Sequence, residues 1–299
     1  MFGFLNIDKP KHRTSREAVN AVQRLVKPHR VGHAGTLDPL ATGVLVVCVG
    51  PATRLTKYVH QMPKTYLADF RLGFESDTED TFGTVEPVVG AKEVTEDQLS
   101  ASLPQFVGQI MQLPPKFSAL KLNGKRAYEL ARKGKKVNLD PRPVEIHCLT
   151  LEYLQYPDFR IKIVCGSGTY VRSLGRDIGR ALGSGAIMTG LERTAIGNFE
   201  IQTAISSEEL TSELIEQNVV KPQAALGLLP AVEVPDTQVD LFANGHTWST
   251  DQPLEAEEAA AIDQSGRLLT ILKQRSPGFF TPAINFSKYW LAEAQKSED

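Results

Sequence analysis

Residues 43–50 read GVLVVCVG, a run with no charged side chain and six apolar residues in succession. It is far too short for the roughly 20 apolar residues that cross a bilayer. A chain that carries it must bury it, and a strand at the centre of a sheet is the element that fits. The segment ahead of it, GHAGTLDPLAT, is rich in turn formers, so a constrained loop feeds directly into a buried strand. A second strand is expected at TYLADFRLG, where Tyr66, Ala68, Phe70 and Leu72 alternate with Leu67, Asp69 and Arg71. FGFLNID at the start and FRIKIVCGSGTY near the middle read as further strands, the latter ending in a glycine turn.

Helices are expected around these strands. Thr14–Val26 has capping-box spacing at Thr14 and Glu17, an apolar face at Val19, Val22 and Leu25, and Pro28 to stop it. Thr95–Ile110 has the same spacing at Thr95 and Gln98, with Pro104 as a breaker. A short helix is expected at Arg126–Lys133, and another at Val171–Gly183 with Gly183 at its end. Ser206–Gln217 reads as an acidic helix. Strands and helices mix without a β-α-β rhythm. The expected class is therefore α+β, a mixed and largely antiparallel central sheet with flanking helices, plus a small β-rich module at the C-terminus. The stretch ALGLLPAVEVP reads as a boundary. It divides the chain into 1–228, with a basic insertion loop at about 114–136, and 229–299.

A formal net charge of −2 hides an uneven distribution. Between Lys9 and Arg30 seven lysines and arginines face one acid, Glu17, and eight more lie between Lys121 and Arg142. From Glu208 to Asp263 the only lysine or arginine is Lys221. Such local basic patches attract polyanions even when the total is near neutral. Cys48, Cys148 and Cys165 are scattered and form no Cys-x-x-Cys or Cys/His cluster. That argues against a zinc site or disulfide framework and fits a reducing cytoplasm. MFGFLNIDKP lacks the order of a signal peptide, and no membrane span is expected.

Asp38 stands out chemically. Asp before Pro is an ordinary turn residue that bonds nearby amides. Here, however, Gly32 and Gly35 permit close backbone approach, Pro39 extends the chain, and the apolar strand anchors the turn. A carboxylate held there can serve as nucleophile or base. His33 beside it offers a flat ring for stacking on a base. Tyr66 sits near a strand start. Arg172 sits just inside a helix N-terminus, where an anion is normally preferred, so it is expected to reach for a carboxylate or a phosphate. Lys9 and Pro10 end a strand and are candidates for a phosphate contact. The loop PPKFSALKLNGKRAYELARKGKK interleaves Phe117 and Tyr128 with cations including Lys121 and Arg126, a composition suited to gripping a nucleic-acid backbone.

Taken together, LNIDKP…TS, GHAGTLDPLATGVL, KTYLADFRLG, SDTEDTFG, PPKFSALKLNGKRAYELAR and CGSGTYVRSLGRDIG resemble, in order and spacing, the TruB family of tRNA pseudouridine synthases. The resemblance covers about residues 3–200, and the C-terminal tail is similar to that family's PUA module only loosely. It departs at His12, where the family usually has glycine, and at the second and third positions of CGSGTY. The resemblance implies a pseudouridine synthase fold and a cofactor-independent, metal-free isomerisation of uridine to pseudouridine at position 55, in the T-loop of the tRNA T-arm. Asp38 would be the essential carboxylate, adding to C1′ of the ribose or C6 of the base, or acting as a base at C2′. The target base would be flipped out of its loop. His33 would occupy its space, Tyr66 would stack on the uracil and help move a proton, and Arg172 would pair with Asp38. Gly35 and Thr36 would lie against the RNA, Tyr170 and Leu191 would line the pocket, and Lys9 and Pro10 would brace it. The basic loop, with Lys121 and Arg126, would close over the T-arm. A monomer is expected. The alternatives are a non-catalytic tRNA-binding or folding protein, a glycoside hydrolase or transglycosylase, which would want two carboxylates flanking the bond and could draw on Asp77 or Asp80, and a guide-RNA-directed relative of dyskerin type.

Overall fold

The computed structural model describes residues 1–118, 120–122, 125–127, 130, 138–227, 229–250, 254 and 256–298. Its strands in chain order are β1 Gly3–Lys9, β2 Val31–His33, β3 Thr42–Val49, β4 Lys64–Leu72, β5 Phe74–Ser76, β6 Val85–Pro87, β7 Gly108–Gln112, β8 Lys121–Leu122, β9 Lys125–Arg126 and β10 Arg142–Gln155. They continue as β11 Asp158–Cys165, β12 Ala186–Ile196, β13 Phe199–Glu200, β14 Ile205–Ser206, β15 Ala231–Glu233, β16 Trp248–Ser249, β17 Glu258–Ile262, β18 Leu268–Ser276 and β19 Phe279–Asn285. Ten of them form one sheet in the order β14-β1-β3-β12-β4-β11-β10-β7, with β2 on β3 and β13 on β12. Within this sheet only β1 with β14 and β3 with β12 run parallel among the described residues. This is the mixed, mostly antiparallel sheet expected from the sequence. A separate sheet, β15-β17-β18-β19-β16, forms the C-terminal part.

The apolar run GVLVVCV lies in β3. From Gly43 to Val49 every residue is buried, and its two side-chain rows feed different cores. Val44, Val46 and Cys48 pack with Phe4, Leu55 and the C-terminal sheet, while Leu45, Val47 and Val49 pack with Val19 and Val22 of the first helix. β4 alternates as expected, burying Tyr66, Ala68, Phe70 and Leu72. Helix Ser15–Leu25 carries the full capping box of Thr14 and Glu17, and helix Glu96–Ser102 that of Thr95 and Gln98.

Two expected helices differ. Thr95–Ile110 is helical only to Ser102. A 3-10 turn at Leu103–Phe106 follows, with Pro104 supplying no N–H, and Gly108 (φ 93°) then opens β7. The acidic helix begins at Ser212 rather than Ser206, because Thr211 caps it by accepting from the Leu214 N–H at 3.1 Å while Ile205 and Ser206 pair with β1. The helix expected at Arg126–Lys133 falls largely outside the described residues. So do Tyr128 and most of the basic cluster of the insertion loop.

The C-terminal sheet is seated on the back of the large one. Phe2 packs among Phe286, Tyr289 and Trp290 at 4.8, 5.4 and 5.5 Å between ring centroids. Glu258 receives both Lys57 Nζ (2.8 Å) and the Tyr58 hydroxyl (2.9 Å).

One glycine is decisive for the middle of the sheet. Gly43 has φ 96°, and a Cβ there would lie 2.3 Å from the carbonyl oxygen of Arg193 on β12. Gly43→Ala combines a left-handed penalty with a backbone clash, so a loss of about 2–4 kcal/mol is expected. It reads out as a lowered urea midpoint with an unchanged m-value. An unchanged midpoint would mean that β3 and β12 do not approach this closely.

Candidate active site

β3 and β12 lie side by side, and the loop ahead of β3 rises over their end. That loop, residues 34–41, is held from three directions. Ser15 Oγ accepts from the Leu37 N–H at 2.9 Å and donates to its carbonyl at 3.2 Å. Arg193 donates from Nε to Val44 O (2.7 Å) and from Nη2 to Gly35 O (3.1 Å). The His12 N–H donates to Pro39 O at 2.7 Å. Asp38 therefore stands on a fixed turn rather than a swinging one.

Beside it is a cavity of about 410 Å³, within the size range of small-ligand sites. Its walls are the loop from His33 to Asp38, the start of β4 with Lys64 and Tyr66, the turn Gly166–Tyr170, Arg172, and Leu191 with Arg193 on β12. Asp38 is the one carboxylate among the described lining residues. Its side chain is 38% exposed, whereas that of Arg172 is 6% exposed. Arg172 Nε meets Asp38 Oδ2 at 2.9 Å.

Arg172 arrives there on helix Val171–Ala181, which presses on β4. A Cβ at Gly175 would lie 2.1 Å from the Phe70 ring, so only glycine lets the helix come this close. The same helix presents Arg176 one turn further on. The two arginines organise the polar loop after β5. Arg172 donates from Nη1 to Thr78 O (2.8 Å) and from Nη2 to Phe117 O (3.2 Å), and lies 3.6 Å from Asp80 Oδ2. Arg176 pairs with Glu79, which also accepts from Ser173 Oγ at 2.6 Å.

The structure thus brings together His33, Gly35, Thr36, Asp38, Tyr66, Tyr170, Arg172 and Leu191 around one cavity. Lys9 and Pro10 are not among its lining. Lys9 is fully buried, with Nζ donating to the carbonyls of Pro10 and Arg13, both at 2.8 Å. Lys121 and Arg126 stand on β8 and β9, which pair with each other. Asp80 is buried and committed to the Thr78 hydroxyl (2.6 Å), the Phe82 N–H (2.9 Å) and Arg172. It is unavailable as the second carboxylate of a glycoside hydrolase. His12 adopts φ 66°, the conformation a glycine takes without strain.

Sequence reasoning did not single out Arg193 and Lys64. Arg193 lies two residues after Leu191, hence on the same face of β12, and pairs in register with Tyr66. That spacing was the available signal, masked because an arginine in a strand usually points to water.

The electrostatics follow from burial. Burial pushes the Tyr66 phenol up, against the opposing pull of the Arg193 charge beside it. Tyr66 is therefore neutral at physiological pH. Burial, with the charges of Arg16 and Arg193, pulls the His33 imidazole down, and its Nδ1 has no hydrogen-bond partner among the described residues. Burial first, and then Arg193, lowers Lys64 to about 8, although its Nζ donates to the carbonyls of His60 and Met62.

Lys64 has a measurable consequence. Its folded value lies below the unfolded value near 10.5, so between these limits the unfolded chain binds more protons. Its contribution to stability is fully present above about 10.5 and is lost as pH falls through about 8. The stability of the native chain minus that of Lys64→Met should rise by about 2 kcal/mol between pH 7.5 and 10.5, allowing for solvent screening. Urea titrations at the two pH values measure it, and a flat difference would show that the ammonium is well solvated.

Comparison with known proteins now adds to this geometry. Residues 23–171 match the TruB family pseudouridylate synthase N-terminal domain, and residues 172–231 the tRNA pseudouridylate synthase B C-terminal domain. The chain is 36% identical over 290 residues to tRNA pseudouridine synthase B of Dehalococcoides mccartyi, covering 96% of this chain and 97% of that one. It is 42% identical over 249 residues to the protein of the same name from Clostridium kluyveri, covering 82% and 84%. Among solved structures it is similar to a Cbf5-Nop10-Gar1 complex, with a TM-score of 0.71 and 25% identity over 94% of this chain and 83% of that one. No helix among the described residues is long and apolar enough to cross a membrane. On these matches, which span nearly its whole length, the chain belongs to the TruB family of pseudouridylate synthases and is an isomerase acting on tRNA.

Proposed function

We propose that the chain converts uridine to pseudouridine at position 55 in the T-loop of tRNA, with the target base flipped into the cavity and Asp38 acting on it. The observation that carries this reading is Asp38, the one carboxylate among the described lining residues, fixed at 2.9 Å on a buried arginine, beside a buried tyrosine. The reaction breaks the N1–C1′ bond, turns the uracil and joins C5 to C1′. N1 ends with a proton and C5 loses one. Asp38 adds to C1′ or C6, or removes the proton at C2′, and in each case a carboxylate aimed from a rigid turn is what the step needs.

The neighbouring groups then have definite work. Arg172 spends three nitrogens on Asp38 and on two carbonyls, so it orients the carboxylate instead of wandering to phosphate. Tyr66 enters as a phenol and stacks on the uracil. It gives its own proton to N1 of the released uracil and then, as phenolate, takes up the C5 proton, and the Arg193 charge is what makes that transient phenolate tolerable. His33, neutral and lining the opening side of the loop, fills the space the base leaves. Flipping costs a few kcal/mol, which stacking inside the cavity offsets. The five-stranded C-terminal sheet is read as a second RNA-contacting part, and the chain as a cytoplasmic monomer.

The test is positional. An unmodified tRNA transcript incubated with the protein and mapped for pseudouridine should show the product at position 55, and none when that uridine is replaced by cytidine. Product at another position, or product that survives the replacement, would overturn the assignment.

A further inference from the structure

Among the described residues only two non-glycine residues have a left-handed backbone, His12 (φ 66°) and Glu79 (φ 64°). They lie in the two loops that hold the ends of the site. Strained positions of this kind persist where the surroundings impose them, and they gather at ligand-binding sites. The side chain of Glu79 is tied to Arg176 and Ser173. His12 instead turns its ring toward Phe82, with the centroids 6.1 Å apart and the planes at 66°.

The backbone of each residue is bonded to a neighbour of the site. The His12 N–H is bonded to the carbonyl of Pro39, the neighbour of Asp38. The Phe82 N–H is bonded to Asp80 Oδ1, and Asp80 faces Arg172. Neither residue lines the cavity, and these backbone bonds hold the pair next to the residues that do. Phe82 is 55% exposed, so its ring is open to a partner. Exposed Lys11 and Arg13 flank His12. Two exposed aromatic rings bordered by cations next to a nucleotide-sized cavity have the chemistry of a base-stacking surface.

We propose that His12 and Phe82 form a platform on the cavity rim that stacks an unpaired nucleobase of the substrate loop, adjacent to the flipped uridine. This rests on the reading that a loop uridine enters the cavity. Unstacking the target leaves its neighbour with one face bare, and the platform supplies the missing face. It acts in holding the RNA and takes no part in the bond changes, so its loss is expected in KM and not in kcat.

Both test variants are compatible with the fold. His12→Gly relaxes a left-handed position, and Phe82→Ala removes an exposed ring. T-arm stem-loop RNA carrying 2-aminopurine at each neighbour of the target uridine is titrated with the native chain, His12→Gly, Phe82→Ala and Phe82→Trp, and turnover is measured on tRNA in parallel. The native chain should change the fluorescence of one neighbour on binding. Phe82→Ala should lose that change and raise KM by about tenfold or more, with kcat altered less than about twofold. His12→Gly should do the same more weakly, and Phe82→Trp should restore both signals. An unchanged KM and fluorescence response in Phe82→Ala would overturn the platform, as would a fall in kcat at constant KM. Absence of turnover by the native chain would count against the functional reading instead, and the fluorescence response would still decide the platform.

Discussion

Asp38→Asn should lower kcat by about 10⁴-fold or more while tRNA binding changes less than about threefold. The substitution keeps the size and planarity of the side chain and leaves an oxygen to accept from Arg172 Nε. The turn itself is held by Ser15, Arg193 and His12, not by the Asp38 side chain. What is lost is the anion. An amide neither adds to C1′ or C6 nor takes a proton from C2′, so every version of the chemistry stops. Turnover on unmodified tRNA and a filter-binding titration separate the two quantities. A variant that retains a tenth of native turnover would demote Asp38 to a turn residue.

Arg172→Ala should be the second largest effect, with kcat down by about 10²- to 10³-fold and tRNA affinity nearly unchanged. Arg172 is buried, and removing it strands Asp80 in the interior and frees Asp38 from its orientation. Breaking a buried pair by deleting one partner typically costs about 3–5 kcal/mol. Part of that should appear as a lower Tm, so turnover is to be measured well below it. Arg172→Lys should recover little. An ammonium cannot meet Asp38 while also satisfying the carbonyls of Thr78 and Phe117. Equal losses in turnover and binding would contradict the role, because they would place Arg172 on the RNA and not on Asp38.

Much of the architecture was legible because local signals and tertiary demands agree. Thr14 with Glu17 and Thr95 with Gln98 cap helices as their spacing suggests, and the alternation in β4 is the alternation of burial. The acidic helix was overextended because Ser206 and Ile205 are claimed by a parallel pairing with β1, a contact far away in sequence. The loop around Asp38 could be picked out since one carboxylate among glycines ahead of an apolar strand is chemically conspicuous. Its support was not legible. Arg193 matters because β12 runs beside both β3 and β4, putting one guanidinium against Gly35, Val44 and Tyr66 together. Lys9 looked like a phosphate contact from its place at a strand end, but its ammonium is turned inward onto two carbonyls. In both cases register, not residue type, decides the role.

Isomerisation of the T-loop uridine by Asp38 in this cavity would release the hydrogen at C5 to water. The most direct measurement uses unmodified tRNA carrying tritium at C5 of its uridines, with enzyme in excess, and follows the label released to water by the native chain and by Asp38→Asn. Release of one label per tRNA, from the uridine at position 55, is expected from the native chain alone. Equal release by the two proteins, or none by either despite tight tRNA binding, would contradict it.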